Sequence, residues 1–187
     1  VQPAFSGGLD WNLRISDGDY ALDGYVAGVH ASDESTNPEG GAGKLLFSRI
    51  TAEHWFYALS YNFFSANFNS NDLGFFNEPR YHGGYAQLIY REPNAEGPLL
   101  RWAASLATEA RWNWDGARTL AAVGTSLSAD WSNFWHSSFE FVVNDHAYDD
   151  AEVGIHGMYL RPVNYALFLG TNTAEQKPAS VSLGLSF

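Results

Sequence analysis

The stretch Leu99-Leu100-Arg101-Trp102-Ala103-Ala104-Ser105-Leu106-Ala107-Thr108-Glu109-Ala110-Arg111-Trp112-Asn113-Trp114 decides the fold. Its even positions, Leu100, Trp102, Ala104, Leu106, Thr108, Ala110, Trp112 and Trp114, are apolar or small. Its odd positions, Arg101, Ala103, Ser105, Ala107, Glu109, Arg111 and Asn113, carry charges and small polar groups. Successive side chains of an extended chain point to opposite faces, so this period of two describes a strand with one apolar and one polar side. The same device recurs upstream, where Trp55, Tyr57, Leu59, Tyr61 and Phe63 alternate with Phe56, Ala58, Ser60, Asn62 and Phe64. Downstream, Trp135, Phe139, Phe141 and Val143 stand against His136, Ser138, Glu140, Asn144 and His146. Residues 9–15 and 181–187 alternate without a break.

Working outward from these segments gives about eleven strands, near 9–15, 19–31, 43–51, 54–66, 80–91, 99–114, 117–130, 134–146, 151–161, 164–173 and 179–187, and no helix is needed. The breaks carry turn chemistry: Asp17-Gly18, Asn37-Pro38-Glu39-Gly40-Gly41, Asn94-Ala95-Glu96-Gly97-Pro98, Asp115-Gly116, Ser132-Asn133 and Pro162. None of these links can hold a crossover helix, so the strands are expected to be antiparallel neighbours. Short connections tend to alternate with long ones near 32–42 and 67–79, as they do in transmembrane barrels, although the 92–98 and 115–116 links fit that rule loosely.

The composition supports the same class. The 187 residues hold 7 Trp, 10 Tyr, 13 Phe and 18 Gly but only two lysines and one methionine, which is not the composition of a helical bundle. A formal charge of −11 disfavours nucleic acid as a partner. The absence of cysteine removes disulfides, thiolate metal sites and cysteine nucleophiles. The N-terminus, Val1-Gln2-Pro3-Ala4, lacks the pattern of a signal peptide, so the chain is expected to be mature, trimmed or excerpted.

A soluble sandwich would show Lys, Glu and Thr on its outer face, whereas here the polar side is made of Ser, Ala, Gly, Asn and isolated charges. The expectation is therefore an all-β, antiparallel up-and-down transmembrane β-barrel of 10–12 strands, or a large part of one, with residues 1–187 as one domain. Trp55, Tyr57, Leu59, Trp102, Leu106, Trp112, Phe139 and Phe141 are expected to face lipid. Ser60, Arg101, Ser105, Glu109, Arg111 and Glu140 are expected to line the lumen. Two alternatives stand beside this reading: a soluble β-barrel or sandwich binding a carbohydrate or other ligand through aromatic platforms such as Trp112 and Trp114, and an outer-membrane hydrolase.

Several short motifs carry a resemblance: Gly7-Gly8-Leu9-Asp10-Trp11-Asn12-Leu13-Arg14, Tyr20-Ala21-Leu22-Asp23-Gly24-Tyr25, Asn71-Asp72-Leu73-Gly74-Phe75-Phe76, Trp112-Asn113-Trp114-Asp115-Gly116 and Asn133-Phe134-Trp135. Over residues 7–175 the chain resembles bacterial outer-membrane proteins in which a carbohydrate-binding, family-9-like domain precedes a C-terminal β-barrel of uncharacterised function. The resemblance implies a Gram-negative outer-membrane location, outer-membrane lipid as a partner, and a longer polypeptide with further strands and a carbohydrate-binding domain. It carries over no catalytic residue. The terminal run Val181, Leu183, Leu185, Phe187 pulls the other way, since it resembles the insertion signal that closes a complete barrel.

Catalytic and metal chemistry find little support in the residues. The histidines, at 30, 54, 82, 136, 146 and 156, form no pair at metal-ligand spacing, and no cofactor motif is present. His136, Ser138 and Glu140 supply the residue types of a hydrolase triad. Two positions along a strand span about 6.5–7 Å, however, so such a site would need partners from other strands, for example His156. The chain is expected not to be an enzyme. Arg101, Arg111, Glu109 and Glu140 are expected to pair across the polar face, either shaping a pore or filling its interior. The apolar loop at 71–76 is expected to fold inward, pack on the rim or meet a partner domain.

Overall fold

The computed structural model describes residues 4–31, 39–68, 80–149, 157–173 and 182–186. Within them the strands are β1 (Ala4–Ile15), β2 (Tyr20–Ala31), β3 (Glu39–Arg49), β4 (Trp55–Phe64), β5 (Tyr81–Glu92), β6 (Leu99–Asn113), β7 (Arg118–Trp131), β8 (His136–Asn144), β9 (Ala147–Asp149), β10 (Tyr159–Arg161), β11 (Asn164–Asn172) and β12 (Ser182–Ser186). Ten of them form one antiparallel sheet in the order β1-β2-β3-β4-β5-β6-β7-β8-β11-β12, and β9 pairs with β10 in a separate hairpin. Neighbours in the sheet are neighbours in sequence except where the hairpin intervenes. No described helix is long and apolar enough to cross a membrane.

Local chemistry places the turns. Ser16, Asp17 and Gly18 all take left-handed backbone angles, and the Asp19 amide closes the β1–β2 turn on the Ser16 carbonyl at 3.0 Å. Gly116, with φ of 83°, makes the left-handed step of the β6–β7 turn, where the Asn113 side chain accepts the Ala117 amide at 2.8 Å. Connections at the end of the sheet shared by the turns at 16–19, 50–54, 93–98 and 132–135 are short; at the opposite end the chain spends longer between β4 and β5 and between β8 and β11.

The segment expected as a single strand at 151–161 is corrected by the structure, because β11 and not that segment pairs with β8. The cause lies at Arg118, whose Nη2 donates to Asp145 Oδ2 at 2.7 Å and to the His146 carbonyl at 2.8 Å. These bonds turn the chain off the ladder after Asn144, so the expected strand 134–146 ends two residues early and β9–β10 forms outside the sheet. Residues 150–156 and the loop motif at 71–76 lie outside the described residues. At the other end, β1 and β3 begin earlier than expected, at Ala4 and Glu39, because the β2 ladder holds glycines 7, 8, 40 and 41 in register despite their weak strand preference.

The sheet does not wrap a core. Only Ala21, Ala42, Tyr81 and Ala147 are buried among the described hydrophobic residues. The accessible surface is 12570 Å², against roughly 8,900 Å² expected for a compact monomer of this mass. Strands β1 and β12 are unpaired on their outer edges, so the sheet is open among the described residues.

Candidate functional site

Residues directly opposite in an antiparallel ladder share a face, so the registers assign every strand position to one of two surfaces. One surface carries Leu9, Trp11 and Leu13 from β1, Leu22 and Val26 from β2, and Leu45 and Phe47 from β3. It continues through Trp55, Tyr57 and Leu59, then Leu88 and Tyr90, then Trp102, Leu106 and Trp112. Val123 and Leu127 follow, then Phe139, Phe141 and Val143, Leu167 and Leu169, and finally Leu183 and Leu185. All eight residues expected on the apolar side fall here. Among the described residues, acidic, basic and histidine side chains occur on this surface only at strand ends, at His30, Glu39, Arg49, His82, Glu92 and Arg118.

Among the described residues, no second layer packs on that surface. Leu59 is 52% exposed, Leu106 53%, Val123 49% and Leu127 49%, in mid-strand positions where a soluble protein would bury them. Its threonine hydroxyls are satisfied within the sheet. Thr108 donates to the Ala122 carbonyl at 3.1 Å, Thr125 to the Ser105 carbonyl at 3.0 Å, and Thr171 to the His136 carbonyl at 3.1 Å. Aromatic rings gather toward both ends. Near the short turns Tyr20 stacks on Phe47 at 5.8 Å, and Tyr90 lies 4.9 Å from Trp55 and 5.0 Å from Trp102. At the far end His82 sits 6.1 Å from Trp112 and 5.0 Å from Trp114, and the Tyr61 hydroxyl meets its Nδ1 at 3.1 Å. His82 thus sits between the two indoles, and both Trp112 and Trp114 remain exposed.

The opposite surface holds all six residues expected on the polar side, Ser60, Arg101, Ser105, Glu109, Arg111 and Glu140. An open concavity of about 470 Å³ crosses it from β5 to β8, with Glu109, Ser126 and Glu140 on its walls and Gly124 and Ala107 in its floor. Ser105 and Ser126 share a hydroxyl–hydroxyl bond of 2.7 Å across the β6–β7 pair. The expected pairing of the four charges is only half realised. Arg111 Nε donates to Glu109 at 2.7 Å and its guanidinium lies 4.6 Å from the Tyr81 ring centre, but Arg101 pairs with Asp130, and Glu140 makes no ion pair among the described residues. Reach decides this: Asp130 stands directly opposite Arg101, whereas Glu140 is on β8, beyond the whole width of β7.

The triad residues are likewise rearranged. His136 turns its Nδ1 to Asp130 Oδ1 at 2.6 Å, not toward Ser138 or Glu140, and no group of three or more metal-ligating side chains occurs among the described residues. Asp130 was missed because a turn centred on Ser132-Asn133 would set Trp135 opposite it, whereas the observed register centres on Asn133 and brings His136 there. Beyond the strands, Asp145 is held below the ordinary carboxylate range, first by the backbone amide of His146, then by its ring and by the Arg118 guanidinium.

Residues 1–185 match the family described as a domain of unknown function, DUF5916. The chain belongs to that family. No curated protein sequence and no solved structure matches it. For this DUF5916 chain, then, the two surfaces themselves carry the functional argument.

Proposed function

We propose that this DUF5916 chain forms the wall of a β-barrel in a Gram-negative outer membrane, with its apolar surface against lipid and its polar surface toward a hydrated lumen. One observation supports this reading above all: a ten-strand surface without a mid-strand charge, exposed, with its threonine hydroxyls bonded within the sheet and rings toward both ends. Trp102 and Trp112 stand ten residues apart on β6, about 33 Å along a strand. At a tilt near 40° that projects to about 25 Å, the height of the apolar band of an outer-membrane barrel. A bilayer tolerates such a surface where the strands between the two outermost ones pair on both sides through their backbone ladders.

The open edges fit the proposal only if they are closed, since unpaired backbone groups in lipid cost several kcal/mol each. Chain direction alternates through the ten strands, so β1 and β12 run antiparallel; direct pairing, or an even number of intervening strands, completes a barrel. Its action would be passive, as a channel, an uptake component or a scaffold for a surface domain such as a carbohydrate-binding one. A soluble ligand binder would instead need a second layer over the apolar surface, and the only other sheet described is the three-residue β9–β10 hairpin. The deciding experiment is reconstitution with lipids brominated along their acyl chains. Strong quenching of tryptophan emission supports the proposal, and emission indifferent to bromine, from protein that stays soluble without detergent, removes it.

A further inference from the structure

In a chain of net charge −11, one corner of the polar surface gathers cationic groups. Arg91 on β5 stands opposite Ala103, two positions from Arg101 on the same face of β6. The two arginines are thus diagonal neighbours, about 7–8 Å apart at their backbones. Arg101 directs its Nε to Asp130, which also accepts His136 Nδ1. That leaves the terminal nitrogens of Arg101 and the Nε2 of His136 without a partner among the described residues. The Arg91 guanidinium lies 4.4 Å from the Phe56 ring centre and makes no ion pair among the described residues. The nearby Glu92 does not neutralise it, because its carboxylate is on the other face, accepting from the Tyr90 hydroxyl at 3.1 Å and lying 3.7 Å from His54. Arg91, Arg101 and His136 line one open cavity of about 390 Å³, floored by the small side chains of Ala103 and Ser128.

We infer that this corner binds the oxyanion group, phosphate or carboxylate, of a dissolved solute. A guanidinium presents parallel donors that match two oxygens of such a group, and Arg91 has its whole fork free. Asp130 is a positioning residue. By accepting from Arg101 Nε and His136 Nδ1, it fixes Arg101 with its terminal N–H groups free and holds the His136 ring beside them. Phe56 does the same for Arg91 by stacking. The inference stands whether or not lipid covers the opposite surface.

The test is calorimetric titration of the detergent-folded chain with inorganic phosphate and, separately, with acetate, comparing wild type with Arg91→Gln, Arg91→Lys and Arg14→Gln. Saturable binding of either anion is expected, weakened at least about tenfold by Arg91→Gln and less by Arg91→Lys, which keeps the charge without the fork. Arg14→Gln should leave it unchanged, because Arg14 lies on β1, four strands away from Arg91, with Asp23 at 3.0 Å. Should Arg91→Gln fail to fold, Arg91→Lys alone decides, since equal binding to wild type would overturn the role of the fork. Absence of saturable binding to wild type defeats the inference. So does binding seen only when the phosphate is carried by a lipid in mixed micelles, which would make the corner a headgroup contact.

Discussion

Ser105 and Leu106 are adjacent and point to opposite surfaces, so the same substitution at each reports on which surface meets lipid. Leu106→Arg should destabilise the inserted chain by about 2–4 kcal/mol, the cost of a basic side chain at the bilayer midplane. Ser105→Arg should cost about 1 kcal/mol, from loss of the Ser126 hydroxyl bond, because a hydrated lumen accepts the charge. Urea titration in lipid vesicles measures both, and the reverse order would mean that the surfaces are wrongly assigned. The glycines offer a second residue-scale contrast. A Cβ on Gly83 would press into the Ala110 carbonyl and the Arg111 backbone of β6, while one on Gly124 meets only a methyl of Val142 at 3.4 Å. Gly83→Ala should therefore cost about 1–3 kcal/mol by overpacking, and Gly124→Ala little, in the same unfolding assay.

At the scale of elements, the junction where the chain leaves the ladder is predicted to be acid-sensitive. The Asp145 carboxyl has a lowered pKa in the folded chain, so its contribution is fully present above the unfolded value near 3.9 and is lost as pH falls through the lower folded value. The observable is hydrogen exchange at the His146 amide, which donates to Asp145 Oδ1 at 2.8 Å. Protection should be lost on acidification below the unfolded carboxylate value, and Asp145→Ala should abolish it at all pH values while leaving the mid-strand amides of β7 and β8 protected. If the variant keeps a wild-type pH profile, Asp145 does not hold this junction.

For the whole molecule, the membrane proposal predicts extraction only with detergent and heat-modifiable migration on gels, because a closed barrel resists denaturation by detergent until boiled. Migration that is the same before and after heating would count against closure. Closure matters more here than any single contact: few described apolar side chains are buried, and packing within one open sheet cannot offset the conformational entropy of ordering ten strands in water. In a bilayer, lipid takes the place of a protein core for the apolar surface, and the backbone ladders become much harder to break.

Strand identity, the two-faced character of each strand and the up-and-down order were legible in residues such as 99–114, because side-chain alternation and turn chemistry act over a few neighbouring positions. Within the described strand interiors, residues assigned to one side by alternation share that side in the structure, whereas Trp114, Trp135 and His146 fall outside the strands. The pairing of Arg101 with Asp130, the isolation of Glu140, the convergence of Arg91 with Arg101, and the exit of the chain at Asn144 were decided only by the tertiary structure. Each depends on register between strands distant in sequence and on which long side chain reaches a partner first. A pattern read along one strand fixes which way a side chain points; only the assembled ladder fixes what it meets.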